Sequence, residues 1–366
     1  MENRTGARLP AEAVRIRKRV FDTLTREQMI PGGSTVFAGL SGGADSVCLL
    51  RMLAAYREMH PFSLTAVHIH HGIRGEEAEE DARFCEALAR ELQLPFLRAD
   101  CDVPKEAAAG GISLEEAGRL ARYRVFGELL AGEGGENARV ALAHHMDDAA
   151  ETLLLNLLRG SGPLGAASMR AVRGPYIRPL LVLTRQEIET YLALTGAPFR
   201  TDSTNLADDA ARNRLRHHVL PYLQAELNGR SAQHLAAFAE KQEALADFFC
   251  AEAEKRQGRY LEEREDGILV RDQLFAEELP AMRTFLLREA MAKVSGSGRD
   301  LGGVHVEAAA GLFRKGRGKR LSLPGGLTAV RIRGGVLLQK TEDAGERKNG
   351  DHARSGAGSE KDIRNS

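Results

Sequence analysis

The stretch Thr35-Val36-Phe37-Ala38-Gly39-Leu40-Ser41-Gly42-Gly43-Ala44-Asp45-Ser46 decides the fold of this 366-residue chain. Its first half is an apolar run typical of a buried strand, and the apolar residues that follow have helical spacing. Two glycines between a strand and a helix let the backbone turn tightly and present amide groups to a ligand. The positive end of the helix dipole points to the same place. The sequence therefore predicts a phosphate-binding turn formed by Ser41, Gly42, Gly43, Ala44, Asp45 and Ser46.

Two better-known phosphate-binding turns do not fit these residues. The stretch lacks the Gly-Lys-Ser/Thr of a Walker loop, and it is not a Gly-x-Gly-x-x-Gly dinucleotide turn. A carboxylate among phosphate groups is favourable mainly when Mg²⁺ bridges the two, so Asp45 is the predicted magnesium ligand. The alternative is an ordinary strand-to-helix turn in which Asp45 only caps the helix.

Outward from the turn, strand and helix patterns alternate as far as about Gly162, which predicts a Rossmann-like parallel sheet in an α/β fold. A Gly- and Pro-rich stretch, Pro163 to Pro179, is predicted to cross the surface as a loop. We divide the chain into a helical lead-in at 1–34, the domain with the turn at 35–221, and a helical linker with a small α+β C-terminal domain at 222–340. The tail at 341–366 has too few apolar residues to fold and is predicted to be disordered.

Composition narrows the class of protein. Lys plus Arg and Asp plus Glu are equal at 51 each, so net charge gives no sign of a nucleic-acid partner. Basic residues nevertheless cluster at 15–19, 212–216 and 314–320, where they can grip phosphates or simply be solvated.

The cysteines and the apolar runs bear on location. The four cysteines are scattered without Cys-x-x-Cys, which argues against an iron–sulfur site, a zinc ribbon or a disulfide framework. No apolar run is long enough to cross a bilayer, and the N-terminus has no signal-peptide pattern. We therefore expect a cytoplasmic protein that does not associate with membranes.

A second polar group opens the helix that follows the strand near residue 140. His144, Asp148 and Glu151 are spaced i, i+4 and i+7, so they share one helical face. Two carboxylates on that face could recognise an amine or position a base, whereas helix capping is the alternative for Asp148. The spacing does not separate the roles of His144 and His145. The histidines have no companion carboxylate or cysteine at zinc-ligand spacing, so a zinc centre is not predicted.

Arginines form a third group of candidates. Arg122 lies on a helical stripe with Glu115 and Arg119, where it either stabilises phosphate charge or takes part in surface ion pairs. Arg212-Asn213-Arg214-Leu215-Arg216 has the composition of a segment that contacts phosphates or an RNA backbone. A solvated helix face is the alternative for this segment.

Taken in order along the chain, these motifs resemble the tRNA(Ile)-lysidine synthetase family, whose members belong to the PP-loop ATP pyrophosphatase class. The match runs through the N-terminal part of the chain as far as Pro221, and it is looser beyond. It rests on the turn at Ser41 to Ser46 and on Val67-His68-Ile69-His70-His71-Gly72-Ile73-Arg74, His144-His145-Met146-Asp147-Asp148, Arg178-Pro179-Leu180-Leu181, Asp202-Ser203-Thr204-Asn205 and Arg212 to Arg216.

The resemblance implies an enzyme that uses ATP and Mg²⁺ to adenylate the C2 oxygen of the wobble cytidine in a CAU-anticodon tRNA(Ile). The ε-amine of free L-lysine then displaces AMP. It implies that the catalytic residues are Asp45, Arg122, His144, His145, Asp148 and Glu151. It also implies that tRNA is contacted by Arg212, Asn213 and Arg216. Arg314, Lys315 and Arg317 are further candidates for a tRNA contact.

One departure from the family concerns its C-terminal part. Many members have a second C-terminal domain, whereas the chain after about Lys340 has only the tail, so we expect the shorter architecture. The basic residues at 314–320 either compensate in part as a tRNA contact or form a solvated loop. A homodimer is compatible with the sequence, which does not fix the oligomeric state.

Two rival functions remain open. A PP-loop enzyme that thiolates a tRNA base would need a sulfur-carrying cysteine or a cysteine-ligated cluster, and the chain has no Cys-x-x-Cys. A non-catalytic RNA-binding protein on a degenerate nucleotide fold would be expected to have lost Ser41, Asp45 and Ser46, which are all present.

Overall fold

The computed structural model describes residues 9–341 except 74, 133–134, 136, 168, 201–210 and 297–300. The chain forms two compact units, Met1–Phe248 and Phe249–Ser366. Among the described helices, none combines the length and the apolar character that crossing a membrane requires. The predicted disordered tail lies, apart from residue 341, outside the described residues.

The first unit is built on a six-stranded sheet. The strands are β1 (Thr35–Gly39), β2 (Ser63–His70), β3 (Phe96–Asp100), β4 (Arg139–Ala141), β5 (Val172–Arg173) and β6 (Tyr176–Ile177), in the order β3-β2-β1-β4-β6-β5. All neighbours are parallel except β5 and β6. The central strand is apolar on both faces because helices cover both sides of a parallel sheet. The α/β parallel-sheet prediction is confirmed.

Helices cover the two faces of this sheet and supply most of its core. They are α1 (Ala11–Arg26), α2 (Ala44–Arg57), α3 (Glu76–Glu91), α4 (Val103–Gly110), α5 (Leu114–Gly132), α6 (Met146–Leu158), α7 (Pro163–Ala166) and α8 (Arg185–Thr195). One core cluster contains Val20, Leu50 and Leu192 from α1, α2 and α8. The other contains Val103 and Phe126 from α4 and α5.

After the undescribed residues 201–210 the chain is helical again. This part comprises α9 (Ala211–Arg214), a π-helical turn (Leu215–Val219), α10 (Leu220–Tyr222), a second π-helical turn (Leu223–Leu227) and the long α11 (Ser231–Tyr260). The predicted boundary at Pro221 remains a prediction, while the division into compact units falls after Phe248.

The second unit is a five-stranded antiparallel sheet with helices. Its strands are β7 (Leu261–Arg264), β8 (Gly267–Arg271), β9 (Arg320–Leu323), β10 (Leu327–Ile332) and β11 (Gly335–Lys340), in the order β7-β8-β11-β10-β9. Its further helices are α12 (Gln273–Glu277), α13 (Pro280–Ser295) and α14 (Gly303–Gly311). The small α+β domain predicted in this part of the chain is therefore confirmed.

Two local predictions differ from the structure. The stretch from Pro163 to Pro179, expected to be a surface loop, contains α7 and the antiparallel β5–β6 pair at the sheet edge. Strands of two residues are too short to produce a periodic pattern, so the sequence carried no sign of them. The helix α4 was also missed, although Asp102 caps it by accepting a hydrogen bond from the Lys105 N–H at 3.1 Å.

Candidate active site

The turn after β1 is held together by the side chain of Ser46. Its hydroxyl donates to the carbonyl of Gly43 at 2.9 Å and accepts from the Ser41 N–H at 3.1 Å. The hydroxyl oxygens of Ser41 and Ser46 are 3.2 Å apart, with Ser41 exposed and Ser46 buried. The turn thus uses one serine to fix its backbone and presents the other to a ligand.

Gly42 is the position in this turn whose backbone conformation favours glycine. Its φ is +90°, a conformation that residues with a side chain rarely adopt. A Cβ added there would lie 3.4 Å from the Phe84 ring and 3.5 Å from the Cys85 sulfur. The carbonyl of Gly42 also accepts a hydrogen bond from the Arg200 N–H at 2.9 Å, which fixes the turn from outside.

A cavity of about 550 Å³ opens beside the turn. Because β1 and β4 are parallel neighbours, the turn after β1 and the start of α6 after β4 lie at the same edge of the sheet. The charged and polar residues that line the cavity are Ser41, Asp45, Ser46, His71, Asp81, Arg122, His144, Asp148, Arg185, Arg200, Arg216 and His217.

Most of the predicted site residues in the first unit line one of two cavities. The large cavity is also lined by Gly43 and Ala44, whereas Gly42 does not reach it. A smaller cavity of about 290 Å³ is lined by His145 and Glu151, and Arg216 borders both. Asn213 is half-buried. Three predicted tRNA-contacting residues are exposed in the second unit, directly after α14: Arg314, Lys315 and Arg317.

Asp45 combines a strong ion pair with an unsatisfied oxygen. One carboxylate oxygen, Oδ2, accepts from Arg185 Nη1 at 2.6 Å. The other, Oδ1, is buried and has no hydrogen-bond partner among the described residues, and His145 Nε2 lies 3.8 Å from it. Burial raises the pKa of Asp45 in spite of His145 and Arg185.

The orphaned oxygen of Asp45 is the observation that bears on magnesium. A buried carboxylate oxygen without a donor is stabilised by a cation, and Mg²⁺ typically takes one or two carboxylates plus phosphate oxygens. In the described part of the chain, no three His, Cys, Asp or Glu side chains are grouped so that they could hold a metal by themselves. The residues thus fit a magnesium ion that would be held by Asp45 together with phosphate oxygens.

His144 is fixed by a basic partner. Its Nδ1 accepts from Arg178 Nε at 3.1 Å, and Arg178 is buried at 6 % exposure. Burial, together with the nearby guanidinium groups of Arg178, Arg212 and Arg122, lowers the pKa of His144 to about 4, against the opposing charge of Asp148. His144 is therefore neutral at physiological pH.

His145 lies in the opposite electrostatic environment. Burial alone would lower its pKa, but the nearby carboxylates of Asp147, Asp148 and Asp45 raise it above the ordinary value. Its ring nitrogens are 3.4 Å from Asp147 Oδ2 and 3.4 Å from Asp148 Oδ2. The two adjacent histidines, which the sequence could not separate, therefore differ in charge preference.

Two carboxylates of α6 pair with two arginines of the segment after residue 210, and we call these four residues the ion cluster: Asp148, Glu151, Arg212 and Arg216. Glu151 is completely buried and accepts from Arg212 Nε at 2.8 Å and from Arg216 Nε at 2.7 Å. Asp148 accepts from Arg212 at 3.1 Å and from Arg216 at 2.8 Å. The predicted lysine ligands and the predicted tRNA ligands thus neutralise one another.

The contacts of Arg185 and the role of Arg178 could not be predicted from the sequence. Arg185 begins α8 directly after the Thr184 cap, and its backbone N–H also donates to Asp147 Oδ2 at 2.8 Å. Nothing in a single arginine at a helix start predicts a partner 140 residues away. Arg178 belongs to one of the motifs on which the family resemblance rests, and this motif was a sign in the sequence that Arg178 could matter.

Known proteins are similar to this chain in sequence. The family described as PP-loop domain matches residues 14–223. A tRNA(Ile)-lysidine synthase from Clostridium perfringens is 32% identical over 335 residues, which cover 91% of this chain and 71% of that protein. A tRNA(Ile)-lysidine synthase from Geobacter sulfurreducens is 39% identical over 304 residues, which cover 82% of this chain and 63% of that protein.

A solved structure is similar in fold. It is a U34-tRNA thiolase from Methanococcus maripaludis with its 4Fe–4S cluster, and it superposes with a TM-score of 0.54 at 16% identity. The superposition covers 66% of this chain and 83% of the thiolase. At this identity the likeness extends to the fold alone.

Proposed function

The chain belongs to the tRNA(Ile)-lysidine synthase family of PP-loop proteins, and from that membership we propose how its residues carry out the reaction. It is an ATP-using ligase that acts on tRNA(Ile). We propose that the base modified is the wobble cytidine of a CAU anticodon and that the amine joined to it is the ε-amine of free L-lysine. The observation that carries this proposal is the meeting of the phosphate-binding turn and the start of α6 in one cavity.

In the first step, the C2 oxygen of the cytidine attacks the α-phosphorus of ATP. The bond between the α-phosphorus and the bridging oxygen of the β-phosphate breaks, and pyrophosphate leaves. The backbone amides of the turn and the dipole of α2 are suited to hold the pyrophosphate part. Ser41 adds a hydroxyl, while Arg122 and Arg185, which both line the cavity, can balance phosphate charge.

Asp45 would hold the magnesium ion through its orphaned oxygen. When bound, Mg²⁺ neutralises phosphate charge and orients the phosphates. Arg185 already pairs with the other oxygen of Asp45, and its charge opposes the rise in the pKa of that carboxyl that burial causes.

In the second step, the lysine ε-ammonium loses one proton, and the resulting amine attacks C2. The bond between C2 and its oxygen breaks, and the oxygen leaves as part of AMP. Asp148 and Glu151 have the charge that an ammonium group requires, but both are paired with Arg212 and Arg216. Lysine binding there is therefore an exchange, in which an ammonium replaces a guanidinium and the released arginines turn to the tRNA backbone.

Thiolation of a tRNA base is the runner-up function, and the fold of the solved thiolase keeps it in view. Of the four cysteines, Cys48, Cys85 and Cys101 are buried, and the exposed Cys250 lies in the second unit. Burial raises the pKa of the thiol of Cys85 to about 12, which leaves it a poor nucleophile. The cysteine arrangement therefore favours lysine as the nucleophile.

The decisive experiment incubates the purified chain with ATP, Mg²⁺, radiolabelled lysine and an unmodified tRNA(Ile) transcript that has a CAU anticodon. We expect label in the tRNA and one AMP and one pyrophosphate per lysine joined. A transcript with uridine in place of the wobble cytidine is the matched control and should take up no label. Label in the control, or incorporation of sulfur from a sulfur donor in place of lysine, would refute the proposal.

Asp45→Ala tests the proposed magnesium ligand. We expect AMP formation to be lost while the affinity for the transcript, measured by filter binding, stays within a factor of about two, since Asp45 faces the phosphates and not the tRNA backbone. Because the ligand is a tRNA, we propose that the chain works in the cytoplasm. Unchanged AMP formation in the variant would remove Asp45 from the site.

A further inference from the structure

Arg178 is a buried cation whose hydrogen-bond partners are all neutral. It is 6 % exposed and forms no salt bridge with a carboxylate of the described residues. Its Nη1 donates to the carbonyl of Arg170 at 2.8 Å and its Nε donates to His144 Nδ1 at 3.1 Å. Of the charged groups that act on it without direct pairing, Glu243 stabilises its charge and Arg173 opposes it. A buried guanidinium without a directly paired carboxylate is costly, so its retention at this place calls for a function.

Arg178 does not line the large cavity, whereas its partner His144 does. The hydrogen bond to the imidazole therefore links Arg178 directly to the cavity. We propose that Arg178 is a positioning residue that locks His144 as a neutral imidazole with its proton on Nε2, and that His144 uses this proton to donate a hydrogen bond to the α-phosphate oxygens of ATP. The second half of this proposal rests on the proposed function, while the first half does not.

The hydrogen-bond geometry fixes the tautomer. A guanidinium has only donors and does not lose its proton in proteins, so the Nδ1 it contacts must present a lone pair. A neutral imidazole with Nδ1 as acceptor carries its proton on Nε2. His144 can then donate to an acceptor in the cavity, but it has no free lone pair with which to take a proton.

The consequence for the reaction is a division of labour. Negative charge grows on the α-phosphate oxygens as the C2 oxygen attacks, and a fixed donor aimed at them stabilises that charge. A neutral imidazole suits this task because it does not have to give up its proton. His144 therefore cannot be the base that accepts the ammonium proton of lysine.

Other charged groups also act on His144 and must be separated from Arg178 in a test. Asp148, on the same helix, favours the charged imidazole. Arg212 and Arg122, from two other elements, disfavour it together with burial. Only Arg178 donates a hydrogen bond to the ring among the described residues, so only its removal is expected to change the tautomer as well as the titration.

The test is an NMR titration of the full chain labelled with ¹⁵N-histidine, with the His144 signals assigned by their loss in His144→Gln. In the unchanged protein, we expect His144 to remain the Nε2–H tautomer from pH 8 down to about 5. In Arg178→Met, we expect a mixture of tautomers and a titration midpoint higher by about one unit or more, as the loss of a neighbouring like charge requires. Arg178→Lys keeps a donor and should retain most of the tautomer preference.

Arg173→Met is the matched control, because it removes an exposed arginine from the same sheet edge and should leave His144 unchanged. A proton on Nδ1, or a His144 midpoint near 6.5 in the unchanged protein, would overturn the proposal without any variant. So would an identical tautomer and midpoint in a folded Arg178→Met protein.

The catalytic half is tested separately by single-turnover adenylation of the transcript. We expect the adenylation rate to fall at least tenfold in Arg178→Met, with partial recovery in Arg178→Lys, while the KM for lysine changes less than twofold. If Arg178→Met loses the tautomer preference of His144 but keeps its adenylation rate, Arg178 still fixes the tautomer, but His144 does not stabilise the transition state. If the unchanged protein did not adenylate the transcript at all, the proposed function itself would be refuted.

Discussion

Glu151→Gln is the substitution that probes the ion cluster most directly. Glu151 is completely buried and accepts three hydrogen bonds from two arginines, at 2.8 Å from Arg212 Nε and at 2.7 and 2.9 Å from Arg216. Glutamine keeps the shape but loses the charge, and its NH₂ group must face an N–H donor of one arginine. The cluster changes from two positive and two negative charges to a net charge of +1.

The magnitude follows from burial. Breaking a fully buried ion pair costs about 3–5 kcal/mol. The side chains of Arg212 and Arg216 are 32% and 36% exposed, so water replaces part of what they lose. We therefore expect a destabilisation of about 2–3 kcal/mol. For a unit of this size, this lowers Tm by about 4–12 °C.

Circular dichroism is the suitable measurement because the chain has no tryptophan to report unfolding. Asp22→Asn is the matched control, since it makes the same chemical change in an exposed pair, Lys18 with Asp22, whose side chains are 71% and 57% exposed. That change should cost no more than about 0.5 kcal/mol. If both variants unfold at the same temperature, the ion cluster does not hold α6 against the segment after residue 210.

Three further predictions concern the histidine, the turn and the basic patch. Since the pKa of His144 falls from its ordinary 6.5 to about 4 on folding, its contribution to stability is complete above pH 6.5 and lost as the pH falls towards 4, by at most about 3 kcal/mol. Urea unfolding at pH 7 and pH 5 should show a smaller difference in His144→Gln than in the unchanged protein, and an equal difference would contradict the shift. Gly42→Ala should lower stability by about 1–2 kcal/mol because φ is +90°, whereas Gly43→Ala, with φ −69°, should unfold at the temperature of the unchanged protein. The exposed basic residues after α14 are Arg314, Lys315 and Arg317. If they bind tRNA, changing all three to alanine should reduce the slope of log affinity against log salt by about one for each phosphate that is no longer neutralised. An unchanged slope would exclude tRNA binding there.

The sheet of the first unit could be predicted because its strands and helices have distinct periods. The apolar run from Thr35 to Gly39 and the alternation that follows it are produced by burial on both faces of a parallel sheet. The same logic brought two distant motifs together, since parallel neighbours deliver their C-terminal ends to one edge. The two-residue strands at residues 172–177 could not be predicted, because so short a run has no measurable period.

Which charges meet could not be predicted in the same way. Asp148 and Glu151 attracted attention because they share a helical face, and Arg212 and Arg216 because they lie close together in sequence. Such spacing predicts which face a side chain occupies but not what neutralises it, because an ammonium, a guanidinium and a metal ion all satisfy a carboxylate. The partners lie more than 60 residues apart in the sequence.

The pairing changes what binding at this site means energetically. If lysine were to enter an empty pair of carboxylates, its affinity would equal the full interaction of its ammonium with them. If lysine binds in the ion cluster, as we propose, it gains only the difference between its own interactions and those of Arg212 and Arg216. That difference becomes favourable when tRNA phosphates compensate the arginines, since each released guanidinium then has a new anion. By reciprocity, lysine must strengthen tRNA binding by the factor with which tRNA strengthens lysine binding. On the proposal that lysine binds at these carboxylates, the arginines that occupy them while tRNA is absent would make the two substrates bind together.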